Sequence, residues 1–239
     1  MIKIFNKKKD YKLERFNKEY FEFIKKNDDR FTVDEKDFLR CLDDNTEFTG
    51  FDAHYIYHPA WAARVVKKIN PKYHIDISST LHFCSILSAF IDVKFYDYRP
   101  AKLNLNNLTS EKIDLTDIFF DDNSVECISC MHTIEHIGLG RYGDPINPQG
   151  DIKAIDELKR ITKSGGNLLL VFPVGKPKIM FNAHRIYSFE MIIELMDGFT
   201  LKEFSMVYDN QEFIENANPE DVKNQKYACG CFWFIKNNY

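Results

Sequence analysis

Residues 132–136, HTIEH, place two imidazoles and a carboxylate together near the middle of the chain. On a helix, positions 132, 135 and 136 would share one face, because residues three and four apart are neighbours there. The spacing H-x-x-E-H is also the inverzincin peptidase pattern, in which the histidines bind zinc. The pentapeptide therefore indicates either a zinc site or a polar cluster with another role, and its flanking sequence distinguishes the two.

The flanking sequence argues against a zinc peptidase. The strand-like run VECISCM precedes HTIEH directly, and Gly138 and Gly140 follow it closely. Glycines at such positions end a helix, whereas the peptidase motif needs a long uninterrupted one. We therefore expect no metal at this motif.

The six cysteines are scattered and also do not predict a metal site. Cys127 and Cys130 form C-x-x-C on a predicted strand, where residues three apart point to opposite faces. Cys229 and Cys231 share a strand face, but no second ligand pair accompanies them. We expect buried free thiols, no metal, and a reducing, cytoplasmic location.

The composition is that of an ordinary globular protein. The chain has 239 residues, of which 44% are hydrophobic and 28% charged, enough for one large domain with an appendage. A net charge of -4 argues against a dedicated nucleic-acid binder. No run approaches the roughly 18 apolar residues of a membrane span, and the lysine-rich N-terminus lacks the apolar stretch of a secretory signal. We expect a small-molecule partner, not nucleic acid or membrane.

Residues 1–70 are predicted to form a helical extension or lid. The apolar spacing between residues 13 and 24 is helical. Thr32 and Glu35 have the spacing of a capping box and predict a second helix, and a third is expected to start after Pro59 and end before Pro71. His54, Tyr57 and His58 are candidates for lid residues or for aromatic docking of these helices.

From residue 73 onwards, short apolar strands alternate with helical patterns, which is typical of an α/β domain with a mostly parallel sheet. Strands are predicted at 73–78, 93–98, 125–131, 167–175, 200–209 and 228–237, with a short strand or loop at 112–120. Helices are predicted at 79–90, 151–162 and 188–199. The polar segment 206–227 is expected to be a loop.

Two stretches resemble the class I S-adenosylmethionine-dependent methyltransferases. IDLTDIFFDDNSVECISCMHTIEHI is similar to that family's acidic segment, turn, fourth strand and Glu-His pair, and AIDELKRITKSGGNLLLVFPVG is similar to its following helix and strand. The resemblance covers about residues 73–236. It implies a Rossmann-like three-layer sandwich with a mostly parallel seven-stranded sheet in residues 71–239, and S-adenosylmethionine as cofactor.

The same resemblance implies the cofactor-binding residues. Asp76 corresponds to the acid after the first strand, Asp97 to the acid that holds the ribose diol, and Asp114 and His132 to positions beside the cofactor. The family's three loop glycines are Ser78, Thr80 and His82 here.

The lost glycines leave three alternatives open. Thr80 is β-branched and costly at positive φ, and His82 adds bulk. Either the loop follows another path, or the cofactor binds weakly, or it does not bind.

A narrower resemblance lies in EHIGLGRYGDPINPQGDIKAIDEL, which is similar to the signature of the family called domain of unknown function 268. That family is methyltransferase-like and is found with surface-polysaccharide and sugar-modification systems. Several members share the altered first loop. The resemblance therefore implies that the missing glycines are a family trait.

The loop 138–151 is the predicted chemical centre, because it holds four of the ten glycines and two of the eight prolines and follows a central strand. Arg141 can hold a phosphate or carboxylate, with Tyr142 and Asp144 beside it, although Asp144 also suits an Asx turn and Asp151 a helix N-cap. His184 and Arg185 follow the next strand and are further candidates for substrate contact.

Two functions remain open. The first is methyl transfer from S-adenosylmethionine to an oxygen of a sugar or phosphorylated small molecule, with His136, Glu135 or His132 as the base. The second is a descendant of the same fold that binds a ligand or partner without methyl transfer, since fold alone does not fix function.

Overall fold

The computed structural model describes residues 2–28 and 30–238. The chain divides into two compact units, Met1–Phe51 and Asp52–Tyr239. The division falls ahead of the helix that precedes the first strand, because that helix packs on the sheet of the second unit. It was assigned to the extension 1–70 from sequence.

The first unit contains helix α1, Ile2–Lys26, where the apolar spacing predicts one. The helix predicted from the capping box at Thr32 does not form. Asp34 instead caps a single 3-10 turn, Glu35–Asp37, and accepts from Lys36 N at 3.0 Å. None of the turn's residues is buried, so no packing stabilises a longer helix.

The second unit is built on a sheet with helices on both faces. Its strands are β1 Tyr73–Ile77, β2 Asp92–Asp97, β3 Leu108–Lys112, β4 Val125–Met131, β5 Thr162–Val174, β8 Phe199–Val207, β9 Phe213–Ile214 and β10 Ala228–Lys236, and β6 Lys178–Met180 pairs with β7 His184–Ile186 in a separate hairpin. The helices are α2 Ala53–Ile69, α3 Leu81–Leu87, α4 Gly150–Ile161 and α5 Phe189–Leu195.

The sheet order is β3-β2-β1-β4-β5-β10-β8-β9, so β3 and β9 are the edges. Strands β1 to β5 pair in parallel, while β10 is antiparallel to both β5 and β8. The predicted α/β sandwich with a mostly parallel sheet is confirmed. The predicted number of seven strands is wrong: the described residues form eight, because β9 pairs with β8 inside the segment 206–227 that was expected to be a loop.

Helix α2 starts earlier than predicted. Asp52 caps it by accepting from Tyr55 N at 3.2 Å, so Pro59 lies inside the helix and does not precede it. The helix ends at Asn70, whose φ of 52° is left-handed, directly before Pro71. The additional N-terminal residues of the helix include His54 and His58, so both belong to a helix of the second unit.

The core lies on both faces of the sheet. One cluster joins α4 and α5 to the sheet and includes Leu158, Phe172 and Cys130. The other joins α2 and α3 to it and includes Trp61 and Cys127, so the C-x-x-C cysteines do point to opposite faces. All cysteines are free, and all but Cys41 are buried.

Within residues 2–28 and 30–238, none of the helices combines the length and apolar character that a bilayer crossing requires.

Leu158→Ala is expected to lower the free energy of unfolding by about 2–5 kcal/mol, because it opens a cavity in the core under α4. Leu158 is fully buried, whereas Ile152 on the same helix is 39% exposed. Ile152→Ala should therefore cost less than about 1 kcal/mol. Urea unfolding of both variants measures the difference, and equal losses would contradict the assigned packing of α4.

Candidate functional site

The predicted polar residues gather at one edge of the sheet, where the carboxyl ends of β1, β2 and β4 meet. The chain changes direction between β1 and β4, the place where open α/β sheets bind ligands. A cleft of about 260 Å³ lies there, and a second of about 440 Å³ adjoins it. Ser78, His132, His136 and Tyr142 line both clefts, so these four side chains connect them.

Asp76 lies beneath the cleft, fully buried. Its carboxylate accepts hydrogen bonds from Ser129 Oγ on β4, from Ser79 N at 3.2 Å and from Cys84 Sγ on α3 at 3.1 Å. Burial raises the pKa of Asp76 to about 6, against these hydrogen bonds, which lower it. The carboxylate lines neither cleft. Asp76 therefore holds the loop after β1 in place and does not face a ligand.

The loop after β1 avoids the strain that the sequence suggests at Thr80. Only Ser78 adopts a left-handed backbone, with φ 58°. Thr80 has φ −86° and is the N-cap of α3, where its hydroxyl accepts from Phe83 N at 3.2 Å. His82 is exposed on α3 and lines neither cleft. The loop thus accommodates Thr80 and His82 without backbone strain.

Two acids line the first cleft, as predicted. Asp97 at the end of β2 accepts from Arg99 N at 2.7 Å through Oδ1, and Asp114 accepts from Thr116 N and Oγ1 through Oδ1. Among the described residues, no hydrogen bond engages Asp97 Oδ2. That oxygen can therefore accept from the hydroxyl groups of a bound ligand.

The motif HTIEH is the turn after β4 and not part of a long helix. His132 has φ 54°, and a 3-10 turn spans Ile134–His136. Glu135 is buried, and its Oε1 accepts from His132 Nδ1 at 2.9 Å and lies 3.7 Å from His136 Nε2. The buried carboxylate thus orients the imidazole of His132 and lies near that of His136.

The shortest hydrogen bond of His136 assigns its tautomer. Its Nδ1 lies 2.6 Å from the carbonyl oxygen of Ala183 and must donate to it. Nε2 therefore carries the lone pair. The side chain is 11% exposed and lines both clefts, so His136 Nε2 is a proton acceptor within reach of a ligand.

Hydrogen bonds join the turns after β1 and β4. Thr133 Oγ1 donates to Ser78 O at 2.8 Å, and Met131 N donates to Ser79 Oγ at 3.0 Å. The relative position of the two cleft walls is fixed by these bonds. Thr133 was not predicted, and its signal in the sequence is its place two residues after β4.

Asp144 closes the loop that follows the motif. Its Oδ2 accepts from Gly138 N at 2.7 Å and Gly140 N at 3.3 Å, and its Oδ1 accepts from Tyr142 N at 3.2 Å. Gly138 has φ 80°, and a Cβ there would lie 2.0 Å from Asn147 O, so only glycine fits. Asp144, predicted to contact substrate, is thus engaged with the backbone of its own loop.

Two guanidinium groups contact the ring of Tyr142 at the rim of the clefts. Arg99 lies 4.7 Å and Arg141 5.0 Å from the ring centroid. Arg141 is exposed and donates to Ala183 O at 3.1 Å. The pair gives this rim a positive charge that suits an anionic ligand. Arg99 belongs to no motif in the sequence, and its one signal is that it follows the acid of β2 by two residues.

Arg185 is buried under the loop instead of facing a cleft. Its guanidinium donates to Ile137 O at 2.7 Å and to Pro148 O at 3.2 Å, and its Nε lies 3.4 Å from Asp151 Oδ2. Tyr187 also donates to Asp151 Oδ2, at 2.9 Å. Arg185 and Asp151 therefore connect both ends of the loop, while the neighbouring His184, half-buried, lines the second cleft.

Aromatic rings from distant segments form a wall beside the second cleft. Tyr55 stacks on His132 at 5.6 Å, and Tyr227 contacts His54 at 5.2 Å and His184 at 5.0 Å. Tyr55 and Tyr227 had no local signal, since one precedes the predicted start of α2 and the other ends a predicted loop. His54 and His58, candidates for lid residues, lie here against His132.

The family model described as "Caenorhabditis protein of unknown function, DUF268" matches residues 108–228. This confirms the relationship that the segment 135–158 indicates. No curated protein matches the sequence.

Solved structures with the same fold are methyltransferases by name. A protein provisionally assigned as a sarcosine dimethylglycine methyltransferase from Galdieria sulphuraria is 13% identical, with a TM-score of 0.52 over 76% of this chain and 85% of that one. A TehB-like S-adenosylmethionine-dependent methyltransferase from Corynebacterium glutamicum is 16% identical, with a TM-score of 0.50 over 74% and 87%.

The phosphoethanolamine N-methyltransferase 2 of Haemonchus contortus, in complex with phosphomonomethylethanolamine and S-adenosylhomocysteine, is 12% identical, with a TM-score of 0.50 over 75% of this chain and 53% of that one. At such identities the likeness concerns the fold. The expected class I methyltransferase-like fold is confirmed.

The two arginines predicted to bind substrate should differ in their effect on stability. Arg185→Met is expected to lower the free energy of unfolding by about 3–5 kcal/mol, because it leaves the buried Asp151 carboxylate without its cation. Arg141→Met at the exposed rim should change it by less than about 1 kcal/mol. Chemical denaturation of both variants is the measurement, and a harmless Arg185→Met would reject its role under the loop.

Proposed function

The chain belongs to the family described as Caenorhabditis protein of unknown function, DUF268, and from this membership and the geometry of its clefts we propose that it is an S-adenosylmethionine-dependent methyltransferase. Its acceptor is a hydroxyl oxygen of a sugar or phosphorylated small molecule, such as surface-polysaccharide metabolism uses. The observation that carries the proposal is the free Oδ2 of Asp97 in the wall of a cleft at the switch point of the sheet.

The first cleft has residues suited to S-adenosylmethionine. Asp97 would accept from the ribose hydroxyl groups, and Asp114 and the turn at Ser78 would line the rest of the cofactor. Ser78 has a left-handed backbone conformation, which glycine adopts readily, at a position where methyltransferases of this class have glycine. The bound cofactor supplies an electrophilic methyl group on a sulfonium. The role of this chain is to align the acceptor and remove its proton.

The rim of the clefts supports an anionic acceptor. The guanidinium carbons of Arg99 and Arg141 lie 4.7 and 5.0 Å from the centroid of the Tyr142 ring. A guanidinium group can donate two parallel hydrogen bonds to the oxygens of a phosphate or carboxylate group. A sugar phosphate or a sugar acid would thus be held at the rim while its hydroxyl group extends inward.

His136 is the proposed base. Its Nδ1 donates to Ala183 O, which leaves the Nε2 lone pair to take the proton of the acceptor hydroxyl group. Glu135 Oε1, at 3.7 Å from Nε2, would stabilise the resulting imidazolium. Glu135 itself is buried and hydrogen-bonded to His132, so its role in the proposal is to orient that ring.

A second candidate is ligand binding without methyl transfer. It is favoured by the side chains Ser78, Thr80 and His82 at the three positions where methyltransferases of this class have glycine. Both candidates predict that a ligand or partner binds, and only the enzyme predicts a methylated product.

Saturating S-adenosylmethionine should stabilise the fold by about 2.7 kcal/mol at 100 times its dissociation constant. Asp97→Asn is expected to weaken affinity about 10- to 100-fold, because it replaces a charged hydrogen-bond acceptor. Asp92→Asn, at the other end of the same strand and exposed, is the matched control. Calorimetry measures both. Absence of binding at millimolar cofactor would exclude the proposal, and unchanged affinity in Asp97→Asn would exclude the ribose role.

His136→Asn should reduce methyl transfer about 10²- to 10⁴-fold, because the base is lost while a donor to Ala183 O is kept. Radiolabelled S-adenosylmethionine with a panel of sugar phosphates and sugar acids provides the assay, and cofactor affinity should not change. His82→Asn on the exposed face of α3 is the control. If His136→Asn were as active as the unaltered protein, His136 would not be the base.

A further inference from the structure

Three potential metal ligands from distant segments converge beside the second cleft. They are His54 in the first turn of α2, His132 at the end of β4 and Cys229 on β10. One ligand atom of each lies within 4.8 Å of the other two. His132 and Cys229 are buried and His54 half-buried. The cluster shares only His132 with the cofactor and base residues described above.

The tautomer of His132 leaves a nitrogen available to a metal. Its Nδ1 donates to Glu135 Oε1 at 2.9 Å, so in the neutral ring Nε2 carries the lone pair. This Nε2 is buried, and among the described residues none forms a hydrogen bond with it, an arrangement that costs free energy unless something binds there. A histidine that ligates a metal typically donates its other nitrogen to a carboxylate in this way.

Two further histidines lie beside His132 and could take part in metal binding. His54 stacks parallel to His132, with ring centroids 5.6 Å apart. His58 donates from Nδ1 to His54 O at 2.6 Å, and its Nε2 is a second buried nitrogen without a partner, beside His132.

We propose that His54, His132 and Cys229 bind one Zn²⁺ ion, with a fourth position for water or the acceptor from the adjoining cleft. Imidazole and thiolate are ligands that zinc prefers, and three protein ligands with one open position are typical of catalytic zinc. Magnesium and calcium require oxygen ligands. On binding, the thiol of Cys229 releases its proton to solvent as the Zn–S bond forms.

Zinc binding requires the three ligand atoms to move only slightly closer together. Zinc bonds of about 2.0 Å to nitrogen and 2.3 Å to sulfur place tetrahedral ligand atoms roughly 3.3–3.7 Å apart. Ligand atoms now within 4.8 Å therefore need to approach by about 1 Å, which side-chain rotation of the half-buried His54 can supply. Glu135, already bonded to His132, would be the carboxylate that orients this ligand.

The position of the ion would add a second means of activating the acceptor. His132 lines both clefts together with His136. A zinc ion there would lower the pKa of a bound hydroxyl group and so assist the proposed base. Zinc binding itself does not depend on S-adenosylmethionine, and the two proposals can fail separately.

The test uses the full chain, freed of any affinity tag, reduced, equilibrated with Zn²⁺ and passed over a desalting column. Elemental analysis should find one zinc per chain. Replacement by Co²⁺ should give a thiolate-to-cobalt charge-transfer band and the intense visible bands of a tetrahedral site. Cys229→Ala and His132→Ala should reduce the metal to background and remove the charge-transfer band.

Two matched controls should keep the metal. Cys231→Ala alters the next cysteine on the same face of β10, and His82→Ala removes an exposed histidine. Because replacements at buried positions can unfold a protein, circular dichroism accompanies each variant, and His54→Ala, at a half-buried ligand, provides the second route to metal loss. Substoichiometric zinc in the unaltered chain, or full zinc in folded Cys229→Ala or His54→Ala, would overturn the proposal. A cofactor-binding measurement on the same samples tests the proposed function independently.

Discussion

The arrangement of the clefts depends on one buried carboxylate. Asp76 receives hydrogen bonds from Ser129 on β4, from Ser79 in the loop after β1 and from Cys84 on α3. Three segments that are separate in sequence are thereby joined under the floor of the ligand site. An acid in this position is costly to bury, which its raised pKa of about 6 reflects. The bonds it accepts offset that cost and fix the path of a loop that lacks glycine.

Much of the fold follows from local sequence. Apolar runs such as NLLLVFPV and ACGCFWFIK have the continuous hydrophobicity of strands buried on both faces, and β5 and β10 lie where these runs predict them. The errors have physical causes. Asp52 starts α2 before Pro59, and two residues at 213–214 add a strand because β8 offers them an unpaired edge. The early start of α2 depends on the Asp52 cap, which the presence of Pro59 obscured. The strand β9 depends on tertiary contact with β8.

The candidate site was only partly predictable. Asp97 and His136 line the clefts, since the end of a parallel strand fixes where such residues point. Arg185 and Asp151 had equally suitable chemistry, yet they lie under the loop as a buried pair. Sequence cannot tell a residue that lines a cleft from one that is buried under a loop, because a charged side chain suits either position. The approach of His54 to Cys229 has no local signal at all, as it arises from the packing of α2 on β10.

The two edges of the sheet have a bearing on how this protein meets its neighbours. At one side β3 presents the charged pair Glu111 and Lys112, and at the other β9 is only Phe213–Ile214. Short or charged edge strands are poor templates for pairing with a strand of another chain. The architecture is thus protected against extension into aggregates by backbone pairing. Any specific association of this unit with another molecule would more readily involve its helical surfaces and loops than its outermost strands.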